Sequence, residues 1–172
     1  MDYSFWLAQV FGLIGVVINI VSMQINNKRK ILALYAVANF SFAINFFLLG
    51  AYTGAVLCFI QAIATILNGI LDIKNIKTPR LAIVIYLLIV IGIGIYTYSG
   101  IVDILAIAGG ILYALIISSE KESRIRKLTF LSMVVWTIYD FCVKSYVAGV
   151  NDLLMLISTT IGIYRFDIKK SN

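Results

Sequence analysis

The chain has no histidine, one proline and two cysteines among its 172 residues, and only 13% of them are charged. Without histidine or clustered thiols, a dedicated transition-metal site is not expected, and no cofactor is implied. Cys58 and Cys142 both fall inside apolar runs, where a cysteine behaves as a small buried hydrophobe and not as half of a disulfide. There is no Gly-x-Ser-x-Gly elbow, and no two carboxylates stand together for acid–base work, so the chain is not expected to be an enzyme. The shortage of charge excludes most. Soluble domains are about half apolar and about a quarter charged, whereas 62% of this chain is hydrophobic.

Those apolar residues fall in runs long enough to cross about 30 Å of hydrocarbon at about 1.5 Å per residue. The pattern predicts an all-α integral membrane protein with seven transmembrane helices at about 5–23, 31–49, 51–71, 81–98, 101–117, 128–145 and 146–164, and no soluble domain. Asp2 precedes the first span where a cleavable signal would carry a basic region, and no small-residue cleavage site follows. With seven spans, Lys28, Arg29, Lys30, Lys74, Lys77, Arg80, Lys121, Arg124, Arg126, Lys127, Arg165, Lys169 and Lys170 share one side, and Lys144 alone takes the other. The positive-inside rule then puts the N-terminus outside and the C-terminus inside. This distribution explains the net charge of +6 without a nucleic-acid partner.

Sliding the chain against itself by 95 residues lays 1–77 over 96–172 without a gap, with eleven identities. They include Gly15/Gly110, Phe46/Phe141, Gly54/Gly149, Thr65/Thr160 and the Asp-Ile-Lys copies at 72–74 and 167–169. Spans and loops superpose as well: the basic loop 24–30 falls on 119–125, and the tight turn 50–54 on 145–149. The expected organisation is a first three-helix repeat (1–77), a linker helix (78–95) and a second three-helix repeat (96–172), a 3+1+3 layout. The linker span gives the two copies the same orientation, so they would be parallel repeats flanking a central pathway.

This layout, with "SMQINNKRKILAL" at 22–34 and "NFFLLGAYTGAV" at 45–56, resembles the YgjV-type bacterial inner-membrane proteins. It also resembles the wider PQ-loop group, which includes the SWEET sugar facilitators and the PnuC vitamin transporters. The stretch "KSYVAGVNDLLMLISTTIGIYRFDIKK" is similar to the closing helix of PnuC proteins. The resemblance implies a multi-pass protein of the bacterial inner membrane. Two departures stand out: Met23-Gln24 and Ser118-Ser119 replace the Pro-Gln pair, and Pro79 lies in a loop, so no span contains proline. If there are hinges, Gly15 and Gly110 are the candidates.

Polar residues inside spans usually face a bundle interior. Gln9, Gly12, Val16 and Asn19 share one face of the first span, and Gln61, Thr65 and Asn68 one face of the third. Ser132, Trp136, Asp140 and Lys144 recur every four residues on the sixth, while Ser41 and Asn45 lie on the second, with Asn39 on another part of it. Candidate solute-binding residues are therefore Asn19, Asn39, Asn45, Gln61, Asn68, Tyr113, Trp136 and Asp140, the amides hydrogen-bonding and the aromatics stacking. Each amide is equally well placed to join helices, which contributes about 0.6 kcal/mol on average. Asp140 either binds a cation or carries a proton, or else pairs with Lys144 one turn on; the pairing is preferred. Asp103 and Asp152 are expected at exposed outer helix ends, and Trp6 and many tyrosines in the interfacial belt. Ala51, Gly54, Ala55 and Cys58 form small-residue steps for close helix contact, and the Asp-Ile-Lys copies read as topology anchors.

Three functions compete. The first is a facilitator of a small, mostly neutral solute (sugar, nucleoside or vitamin precursor) working by alternating access. The second is a membrane scaffold, which predicts a packed interior with paired polar groups. The third, an intramembrane enzyme, ranks far behind. Expected partners are a small-molecule solute and the lipid bilayer, with a homo-oligomer left open.

Overall fold

The computed structural model describes residues 3–23, 28–119 and 122–168. Among these are seven α-helices: α1 (Tyr3–Met23), α2 (Lys28–Leu48), α3 (Tyr52–Ile73), α4 (Arg80–Tyr96), α5 (Asp103–Ile117), α6 (Glu122–Cys142) and α7 (Tyr146–Ile163), the last running into a π-helical turn, Tyr164–Ile168. The seven predicted segments thus appear as helices, with ends displaced by a few residues. Three are long and apolar enough to cross a membrane: Tyr3–Ser22, Tyr52–Ile73 and Tyr146–Ile163. The apolar part of α2, Leu32–Leu48, together with α4 and α5, is shorter. α6 opens on Glu122, Arg124, Arg126 and Lys127, which dilutes its apolar stretch. Most of the basic loop 24–30, the Gln of Met23-Gln24, Lys121, Lys169 and Lys170 lie outside the described residues.

The breaks between helices have local causes. At the α2–α3 turn Gly50 takes φ 75°, and at the α6–α7 turn Lys144 takes φ 63°, the left-handed region that suits glycine and strains lysine. The α3–α4 connection turns at Asn75 (φ 54°), and Pro79, extended at φ −64° and ψ 140°, starts α4 where its missing N–H costs nothing.

Six helices close a ring through the contacts α1–α2, α2–α3, α3–α5, α5–α6, α6–α7 and α7–α1. α4 lies against α3 and α5. It packs closely because Gly94 receives Ile107 and Gly110 receives Val90. The surface is apolar: Val10, Leu13, Val17 and Ile20 of α1 and Phe59, Ile63, Leu67 and Ile70 of α3 are all exposed. Asn19, Asn45, Gln61, Thr65, Asp140 and Asn151 are buried instead. Apolar outside and polar inside is the arrangement lipid demands, because large exposed apolar patches are not sustained in water. Trp6 and Tyr3, Tyr52, Tyr96, Tyr98 and Tyr146 are exposed at the helix ends on the side opposite the α3–α4 connection, as a belt residue would be.

Candidate functional site

The ring encloses a cavity of about 850 Å³. It reaches the surface beside Asn75, Lys77 and Thr78 of the α3–α4 connection and ends, deep in the bundle, among Phe46, Cys58, Trp136, Asp140, Ala148 and Asn151. Seven of the sequence candidates line it: Asn19 (α1), Asn39 (α2), Gln61 and Asn68 (α3), Tyr113 (α5), and Trp136 and Asp140 (α6).

Some lining groups hold one another. The Thr65 hydroxyl lies 2.8 Å from the Tyr113 hydroxyl and donates to the Gln61 carbonyl at 2.7 Å, and Thr78 donates to Asn68 Oδ1 at 3.1 Å near the mouth. Gln61 lies within reach of the Tyr86 hydroxyl, and two others have no hydrogen-bond partner although their residues are less than a tenth exposed: Asn19 Oδ1 and Asp140 Oδ1. An unmatched buried polar atom costs about 1–3 kcal/mol, so a cavity wall carrying two of them favours a polar occupant.

Aromatic rings frame the inner end. Trp136 stacks on Phe46 (centroids 6.0 Å, interplanar 19°) and meets Tyr139 edge-on at 5.5 Å. Its indole lies against Gly109, where a Cβ would fall 2.6 Å from Nε1, and the Phe42 ring lies against Gly15 in the same way at 2.9 Å. Gly15 thus serves close helix packing, and Gly110 serves the contact with α4.

Asn45 does not line the cavity. It is fully buried at the opposite end, where it donates to the Ala8 carbonyl at 2.7 Å and accepts from the Ser145 hydroxyl at 2.5 Å. Gln9 extends the same closure, donating to the Lys144 carbonyl at 3.0 Å and accepting from Val147 N–H at 3.2 Å. On the other side of the ring the Gly54 N–H donates to the Tyr139 hydroxyl at 3.0 Å. These bonds tie α1, α2, α3, α6 and the start of α7 together, closing the end away from the α3–α4 connection.

The carboxylates correct three expectations. Asp140 makes no ion pair with Lys144, which is exposed in its left-handed turn while Asp140 is 2% exposed and faces the cavity. Asp152 is not at an exposed helix end: α7 starts at Tyr146, so Asp152 stands more than a turn inside and lines the cavity. Asp140 and Asp152 both line the cavity, so two carboxylates do share it. Asp103 is buried as well, accepting at Oδ2 from Ser99 N–H (2.7 Å), Ser99 Oγ (2.9 Å) and Gly100 N–H (3.1 Å) at the start of α5. The readable signal for Asp152 was its spacing, since Ala148, Asp152 and Met155 fall on one helical face and all line the cavity.

Near the basic end, Arg126 of α6 forms an ion pair with Asp167 of the π-helical turn and also donates from Nε to Oδ2 at 3.2 Å. The Arg126 guanidinium holds the Asp167 carboxyl below the usual carboxylate range. Among the described residues, no group of histidine, cysteine and carboxylate side chains is arranged to hold a metal ion.

A family described as bacterial inner membrane protein, Imp-YgjV, matches residues 6–170. The chain belongs to the YgjV family. Inner membrane protein YgjV of Escherichia coli (strain K12) is 25% identical over 164 residues, which cover 95% of this chain and 86% of that relative. No solved structure matches. With its apolar exterior and spanning helices, this YgjV-family chain is a protein of the bacterial inner membrane.

Proposed function

We propose that this YgjV-family protein is a facilitator that carries a small polar solute by alternating access between two three-helix bundles, α1–α3 and α5–α7, with α4 as linker. One observation carries the reading: a solute-sized cavity closed at one end, whose wall holds the unpartnered, buried Asn19 Oδ1 and Asp140 Oδ1. A scaffold would instead pack its interior and pair those groups helix to helix.

Local geometry supports a duplicated chain, with its halves in register at 94 residues. Ala51 (φ −85°, ψ 65°) and Ser145 (φ −84°, ψ 62°) cap α3 and α7 alike, and their N–H groups donate to Phe46 and Asp140 carbonyls at 2.9 and 2.8 Å. The Gly15–Phe42 contact recurs as Gly109–Trp136. Across the closed end, Asn45 reaches the start of α7 while its counterpart Tyr139 reaches the start of α3. A π-helical turn accommodates one extra residue, and the one after α7 supports reading the 95-residue match of Asp72 with Asp167 as that insertion. The likeness to the PQ-loop group fits this layout. Under the proposed topology the N-terminus is outside and the cavity opens to the cytoplasm.

A thermal-shift screen of the detergent-purified protein against sugars, nucleosides, vitamins and amino acids tests the reading. A ligand at 100 times its dissociation constant stabilises the native state by about 2.7 kcal/mol. The expected result is a hit that is lost in normally folded Asn19→Ala or Gln61→Ala. Silence across the panel, with those variants losing stability outright, would favour the scaffold.

A further inference from the structure

Formal charge within the cavity is uneven. Asp140 and Asp152 stand at its inner half with no basic residue of the described lining beside them, whereas Asp72 at the end of α3 and Lys77 of the α3–α4 connection stand together toward the mouth. The unpartnered atoms lean the same way. Asn19 Oδ1 and Asp140 Oδ1 are both acceptors, each in a residue more than nine-tenths buried. Around the carboxylates the wall is aromatic, with Trp136 and Phe46 stacked and Phe42 beside them. Carboxylates bind cations through charge-assisted bonds, and aromatic faces attract them through the ring quadrupole. A buried carboxylate without a countercharge is costly, and a cationic occupant would supply one.

We propose that the inner end of the cavity binds the positively charged nitrogen of a small organic cation, with Asp140 and Asp152 as counter-ions and Trp136, Phe46 and Phe42 as its aromatic walls. The inference rests on the solute-carrier reading and narrows its small polar solute to a cationic one. Asn19 accepts a hydrogen bond from the same ligand where the nitrogen carries hydrogens, and Gln61 donates to an oxygen elsewhere on it.

Matched pairs separate charge from shape: choline against 3,3-dimethylbutan-1-ol, and phenethylamine against 2-phenylethanol. Binding is read from the fluorescence of Trp136 in a Trp6→Phe background, which leaves one indole, and is repeated by calorimetry. The expected result is that at least one cation binds about tenfold or more tighter than its uncharged partner. Asp140→Asn should remove that preference while the variant still elutes as a monodisperse species in detergent, and Asp152→Asn should weaken it independently. Equal binding within each pair, or a preference that survives in both variants, overturns the cation site and leaves a neutral-solute carrier standing. If no cation binds and no member of the wider neutral panel binds either, both readings fall together.

Discussion

Tyr139 is fully buried, and its hydroxyl takes the N–H of Gly54, one of the donors that the first turn of a helix cannot satisfy internally. Only glycine fits beneath it, since a Cβ at position 54 would fall 2.6 Å from Tyr139 Cε1. Gly54→Ala should therefore destabilise the protein by about 1–3 kcal/mol through overpacking. Tyr139→Phe, which strands the amide, should cost a similar roughly 1–3 kcal/mol. Thermal unfolding in detergent would check both, and an unchanged melting point in either would remove Tyr139 from the closure. Lys144 offers the opposite test. Its left-handed φ of 63° costs a non-glycine residue about 1–2 kcal/mol, partly offset by the entropy glycine loses on folding. Lys144→Gly should stabilise by about 0.5–1 kcal/mol, whereas Gly50→Ala at the matching turn should destabilise.

Helices are the scale at which the sequence was most readable. Runs of apolar residues bounded by Gly50, Pro79 and the basic clusters set α1 to α7 to within a few residues, because lipid leaves a buried backbone little choice but to satisfy itself in helices. Faces were readable too: Gln61, Thr65 and Asn68 of α3 do line one cavity. Height along the bundle was not. Asn45 lies on the same helix as Asn39, yet it falls at the closed end, where Ala8 and Ser145 take up its amide. Asp152 was misplaced although the predicted span 146–164 already set it more than a turn inside α7; its place on the face of Ala148 and Met155, toward the cavity, was not read. At the basic end, Arg126 and Asp167 join α6 to the turn after α7, with the Asp167 carboxyl held below its ordinary range. A lowered folded-state value means that the pair supports the fold above the ordinary carboxylate range and is lost as pH falls through the folded-state value. Asp167→Asn should therefore lower the melting temperature slightly at neutral pH and make no difference at strongly acidic pH. An equal effect at both pH values would contradict the pairing.

For the molecule as a whole, six helices form a ring closed at one end and reached at the other from the α3–α4 connection; under the carrier proposal this is one half of an alternating-access cycle. The closure includes hydrogen bonds at Gln9, Asn45 and Tyr139, and the carrier proposal requires them to exchange for a closure at the basic end. A single cysteine at Met133, on the cavity wall, tests this most directly in a Cys58→Ala/Cys142→Ala background. Vesicles of both orientations would be treated with a membrane-impermeant maleimide. The account predicts fast labelling from the face bearing the α3–α4 connection, slow labelling from the other, and a faster slow side once Asn45→Ala loosens the closure. Labelling from one face only, unaltered by Asn45→Ala, would contradict it.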